Sequence, residues 1–149
     1  MNLFLRSDVK DVRFIGICGM GAIGKKNLAE VLYMKIRSKF ESSCTLDNVR
    51  EASGQRHGLL NLQREFLSKL KIMDTKIEDV YQGIDTIRNF LFNKKVLLVL
   101  DDVSHISQLE ILAEKEWFGP GSRVIVTTRD MQLLTSHGIS DKYEIGLLN

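Results

Sequence analysis

The chain has a single proline, two cysteines and no apolar run long enough to cross a bilayer. Two cysteines do not make a disulfide framework. Cys18 and Cys44 both sit in apolar, strand-like runs, where a buried, reduced thiol is expected. The strongest apolar run, residues 96–100, falls far short of the ~20 residues a spanning helix needs. The opening MNLFLRSDVK turns charged too early for a signal peptide. Charge of one sign is also missing: 21 basic residues meet 19 acidic ones, for a net +2. That balance gives no drive toward nucleic acid or an anionic membrane. No repeat or low-complexity segment is present, and His57, His105 and His137 show no metal-ligand spacing with the cysteines. What is left is a soluble, cytoplasmic, single-domain chain with enough residues, 44% of them hydrophobic, to bury a real core.

The apolar pattern alternates between strand and helix. Residues 12–18 (VRFIGIC) read as a strand leading into a glycine loop. Ala29, Leu32, Tyr33, Ile36 and Phe40 then recur at helical spacing. Residues 43–49 read as a second strand and 50–57 as a polar turn. Two helices follow, one facing inward with Leu59, Leu62, Phe66, Leu67 and Leu70, the other with Val80, Ile84, Ile87 and Leu91. Residues 95–100 (KVLLVL) form an unbroken apolar strand of the kind buried on both faces of a parallel sheet, ending in Asp101 and Asp102. A helix over 106–113, a turn over 118–121 and a strand over 123–127 come next. A short helix from Asp130 and a fifth strand from Tyr143 complete the pattern. Alternation of this kind predicts βαβ units, a parallel sheet and a three-layer α/β domain. In such sheets ligands sit at the carboxyl ends of the strands, and the glycine loop, Asp101, Asp102 and Arg129 all fall there. The aromatic pair Trp117 and Phe118 reads as a packing anchor.

The glycine loop lacks one residue. Gly19, Met20, Gly21, Ala22, Ile23, Gly24, Lys25 and Lys26 follow the G-x-x-x-x-G-K-[ST] phosphate-loop pattern up to its last position. The glycines permit tight curvature and close approach, the backbone N–H groups and helix start cradle phosphate, and Lys25 adds a point charge. The hydroxyl that would hold Mg²⁺ is replaced by Lys26, with Asn27 after it. Asp101 is the candidate Mg²⁺ acid, Asp102 the candidate catalytic acid orienting a water, and Arg129 a candidate reader of the terminal phosphate. Thr127 and Thr128 stand beside it as hydrogen-bonding groups.

Four blocks, FIGICGMGAIGK, FESSCTLDNVREASGQRHGLLNLQREFLSKL, KKVLLVLDDV and GSRVIVTTRD, resemble in order the nucleotide-binding part of the NB-ARC domain of plant disease-resistance proteins. The resemblance is narrowest to the class with a TIR domain upstream and leucine-rich repeats downstream. It implies a P-loop NTPase fold with a parallel, roughly five-stranded sheet of order 5-1-4-3-2. It divides the chain into an N-terminal linker (1–11) and a nucleotide-binding subdomain (12–149) that stops before the helical and winged-helix subdomains. It implies an ADP/ATP switch in an innate immune receptor, with ADP or ATP as ligand and the receptor's other domains as partners. Membrane and nucleic acid are not among them. Lys26 and Asn27 depart from the family's Lys-Thr-Thr ending. That departure predicts impaired hydrolysis, at most a very weak ATPase, and opposition to Mg²⁺ near the site. The alternative is a nucleotide-free scaffold, a degenerate copy of the same fold.

Overall fold

In a computed structural model, which describes residues 10–19, 21–72, 76–139 and 141–145, the chain folds around one five-stranded sheet. The strands are β1 (Arg13–Cys18), β2 (Ser42–Leu46), β3 (Val96–Val103), β4 (Arg123–Thr128) and β5 (Asp141–Glu144). All pairings are parallel and the order is β2-β3-β4-β1-β5, the order implied by the resemblance. The helices are α1 (Ala22–Ile36), α2 (Val49–Ser53), α3 (Gly58–Lys69), α4 (Val80–Leu91), α5 (Ile106–Leu112) and α6 (Met131–Ser136).

The period-2 geometry of the strands divides the core. Ile15 and Ile17 of β1, Leu97 and Val99 of β3 and Ile125 of β4 face Ala29, Leu32 and Ile36 of α1. Their neighbours Phe14, Leu98, Leu100, Val124 and Val126 face the other way, onto Phe66 and Leu67 of α3, Ile87 and Leu91 of α4 and Leu109 and Leu112 of α5. Successive strand residues point to opposite faces, so the central parts of β1, β3 and β4 have to be apolar at every position, as their sequences are. Each fully buried Leu or Ile contributes about 1.5–3 kcal/mol of apolar transfer. Trp117 and Phe118 are both 7% exposed, and Phe118 meets Phe14 edge-on at 6.1 Å, which is the packing role expected.

Both cysteines are free and buried, and burial pushes the Cys44 thiol up to about 12. Lys10 and Asp11, placed in the linker by sequence, are tied to the domain: Gly121 N–H donates to the Lys10 carbonyl at 2.7 Å. Arg123, fully buried, donates to the Asp11 and Ser122 carbonyls at 2.6 and 2.9 Å. A buried guanidinium is tolerated because such acceptors replace its water.

Several boundaries differ from the sequence reading, among them β5, which begins at Asp141 and not at Tyr143. The second strand closes at Leu46, and a helix from Val49 to Ser53 takes the place of the expected strand end and the first part of the expected polar turn. Strand β3 runs through Asp101 and Asp102 to Val103. Its register against β4 shifts between Leu100 and Val103, with Asp102 at φ 63°. Such an irregularity re-aims a side chain at the rim of a sheet.

Candidate functional site

Strand β1 ends at Cys18 and α1 begins at Ala22, so the glycine loop lies at the carboxyl edge of the sheet. Met20 and the side chains of Ala22 and Ile23 lie outside the described residues. Gly21 is the N-cap of α1, in an extended conformation and without a side-chain cap, and the first turn carries no acid. The N–H groups of that turn are therefore left for a ligand or water. The loop glycines have different reasons to be glycine. A Cβ on Gly19 would lie 2.8 Å from the Ile145 carbonyl oxygen, whereas one on Gly21 would meet nothing within 4 Å. With φ at −85°, Gly21 is required neither by conformation nor by packing. Gly21→Ala should change stability by less than ~0.5 kcal/mol, yet weaken phosphate binding about tenfold if that space is the cradle. Thermal unfolding together with titration of ADP checks both halves.

Lys25 is 2% exposed. Its Nζ donates to the Gly19 carbonyl and, at 3.4 Å, to that of Gly21. Burial is the main reason its pKa is lowered. The positive charge of Arg129 adds to the effect, and Asp102, Cys18 and Asp101 oppose it. Lys25 near the start of α1, Asp101 and Asp102 in β3 and Arg129 after β4 all lie at the carboxyl edge of the sheet. Lys26 is half-buried and Asn27 exposed.

The acids are held in different ways. Asp101 is 7% exposed; it accepts Thr127 Oγ1–H at 3.0 Å on one oxygen and the Asn48 N–H at 3.2 Å on the other. The same Thr127 oxygen accepts the Asp102 N–H at 2.7 Å, so one hydroxyl fixes the relation of the two acids. Thr128 donates to the Val103 carbonyl at 2.6 Å. The Asp102 carboxylate lies between two guanidiniums, Arg50 Nε at 3.0 Å and Arg129 Nε at 3.9 Å. Arg50 and Asn48 were not singled out from sequence. No spacing marks them, and their only signal was a polar stretch following the carboxyl end of a strand.

The histidines stand apart from this site. His57 precedes α3 in the left-handed region, His105 forms a capping box with Gln108 at the start of α5, and His137 follows α6. Among the described residues, no group of three or more His, Cys, Asp or Glu is arranged to hold a metal ion, and no helix is long and apolar enough to cross a membrane. At the glycine loop an uncapped helix start lies beside a buried ammonium, and Lys26 stands where the phosphate-loop pattern has a hydroxyl. A cavity of about 470 Å³ opens at the opposite, amino edge of the sheet, lined by Asp11, Phe14, Glu114, His137 and Asp141 among others.

Residues 2–149 match the NB-ARC domain family. The chain is 39% identical to the disease resistance protein RPV1 of Vitis rotundifolia over 152 residues, covering all of this chain and 11% of that protein. It is 40% identical over 144 residues to the disease resistance protein RML1B of Arabidopsis thaliana, covering 93% of this chain and 14% of the relative. It thus spans a small part of the curated relatives it matches. The crystal structure of Cdc6p from Pyrobaculum aerophilum superposes with a TM-score of 0.61 over 97% of this chain and 41% of that one, at 14% identity. At that identity the likeness establishes a common α/β fold.

Proposed function

The chain belongs to the NB-ARC family, and from that premise we propose that it is an adenine-nucleotide-binding switch module of a plant innate immune receptor, with hydrolysis impaired. The observation that carries this reading is the open space at Gly21 beside the buried Lys25 ammonium. An uncapped helix start and a desolvated cation together favour an anion. The loop N–H groups and Lys25 would hold the phosphates of ADP or ATP, and Arg129 would read the last of them. Asp101 is the residue for Mg²⁺, which when bound would neutralise phosphate charge. Asp102 is the acid for a water, but its carboxylate is engaged by Arg50. Lys26 adds a positive charge where a hydroxyl ligand belongs, which disfavours Mg²⁺ and leaves the backbone cradle untouched. Binding is thereby spared more than turnover. The module would work in the cytoplasm with the other domains of its receptor as partners, independently of nucleic acid and membrane.

Calorimetric titration of ADP and ATP, with and without Mg²⁺, tests the reading. Mg²⁺ is expected to change the Kd less than about threefold, and Lys26→Thr with Asn27→Thr to raise that dependence to about tenfold (~1.4 kcal/mol). A large Mg²⁺ dependence in the unmodified chain would refute the role given to Lys26. One observation favours a second reading, a nucleotide-free scaffold: the Lys25 ammonium already has carbonyl partners within its own loop. Millimolar ADP separates the two, since a ligand of the folded state must raise the unfolding temperature.

A further inference from the structure

We propose that Arg50 is a second reader of the terminal phosphate, working opposite Arg129 and setting the preference of the site for ATP over ADP. This rests on the nucleotide-binding reading above. Strand β4 delivers Arg129 to one side of Asp102, and α2, in the connection from β2 to β3, delivers Arg50 to the other. Each guanidinium approaches the carboxylate through its Nε, at 3.0 and 3.9 Å. Among the described residues, their outer nitrogens have no other partner. Both side chains are about half exposed, at 45% and 49%. A planar guanidinium has five N–H donors, so one contact through Nε leaves a fork suited to two phosphate oxygens.

Arg50 is not a free surface arginine. Asn48, at φ 54° and ψ 48°, turns its N–H onto Asp101, so the segment carrying Arg50 is anchored to the neighbouring acid. Val49 is fully buried. Ser53, at the far end of α2, donates to the Val49 carbonyl at 2.6 Å and accepts from Gln108 of α5 at 2.6 Å. The short helix is therefore fixed at both ends, and its arginine is delivered to one place.

A purely structural ion pair accounts poorly for this arrangement. Half-exposed pairs contribute little to stability, and Asp102, at φ 63°, takes a left-handed conformation of the kind aspartate tolerates, which aims its carboxylate at both guanidiniums. Lys25, Arg50 and Arg129 meet at this edge with Asp101 and Asp102, with Asp130 and Glu144 nearby, and a third phosphate would give the two guanidiniums an anionic partner beyond the carboxylate they share. The guanidiniums then hold Asp102 through Nε and the phosphate through their outer nitrogens.

The test is calorimetric titration of ADP and of ATP, without Mg²⁺ and at one salt concentration, into the unmodified chain and into Arg50→Gln, Arg50→Lys and Asp102→Asn. Arg50→Gln is expected to weaken ATP about tenfold and ADP less than twofold, with Arg50→Lys in between. Should Arg50→Gln not fold, Asp102→Asn carries the test: removing the competing carboxylate is expected to raise ATP affinity relative to ADP severalfold. Equal losses for both nucleotides, or an unmoved ATP/ADP ratio in every folded variant, overturns the role of Arg50 while nucleotide binding stands. Failure of the unmodified chain to bind either nucleotide overturns both.

Discussion

Lys25→Ala lowers affinity for ADP by about two orders of magnitude while shifting the unfolding midpoint by no more than about 3 °C. The two halves of this expected result have separate causes. A lysine contacting more than one phosphate oxygen makes charge-assisted hydrogen bonds, each worth about 1.5–3 kcal/mol. Losing about 3 kcal/mol corresponds to about a hundredfold in Kd. The small effect on folding follows from the environment of the ammonium. Burial already depresses its pKa, and Arg129 adds repulsion, so the folded chain carries a charge it holds at some cost. Removing it relieves that cost and offsets the lost packing of the aliphatic stem. For a chain of this size about 1 kcal/mol moves the midpoint by roughly 2–4 °C. Calorimetric titration and differential scanning calorimetry on the same preparations measure the two quantities. Unchanged affinity would remove Lys25 from the binding machinery, and a collapse in stability would make it a structural residue instead.

The largest effect on stability is expected at Gly58→Ala. Gly58 opens α3, and an added Cβ would lie 2.1 Å from the Ala52 carbonyl oxygen and 2.7 and 2.8 Å from Ser53 Cα and C. All three atoms belong to the backbone of α2 and have no rotamer to escape into. Overpacking costs about 1–3 kcal/mol, and a backbone obstruction belongs at the upper end. The unfolding midpoint should fall by roughly 9 °C. Because α2 carries Arg50, the variant should also lose part of its ATP preference, with ADP binding at the glycine loop largely kept. A midpoint within 2 °C of the unmodified chain would mean that α2 and α3 separate easily, and that Arg50 is less firmly held than its hydrogen bonds imply.

The residues that could be read in advance are those whose physics is local. Strands β1, β3 and β4 are buried on both faces, so each carries an apolar run (residues 14–18, 96–100 and 124–126) that can hardly be mistaken. The glycine loop is contiguous, and its place between a strand and a helix follows from the flanking pattern. The strand order came from the resemblance of four blocks, because periodicity carries no information about which strands are neighbours. Helix α2 was hidden for a physical reason: in five residues only Val49 is buried, so there is no period to detect, and Arg50 reads as a polar turn residue. The partnership of Arg50 with Asp102 spans 52 positions and exists only once β2 and β3 lie side by side. The course of β3 through Asp101 and Asp102 was missed because acidic residues suggest a strand end. Here Thr127 and Asn48 supply the donors that let Asp101 remain within the sheet.

Ile145 gives the glycine loop a mechanical connection. Its N–H donates to the Cys18 carbonyl at 2.7 Å, its own carbonyl oxygen fills the space a methyl group on Gly19 would need, and its Cγ2 stands 3.9 Å from the Cβ position of Gly24. The chain leaving β5 is thus clamped across the base of the loop like a strap over a spring. Loop and strap share a hydrogen bond and a close backbone contact, so the path of the chain at residue 145 and the curvature of the loop at Gly19 are set together.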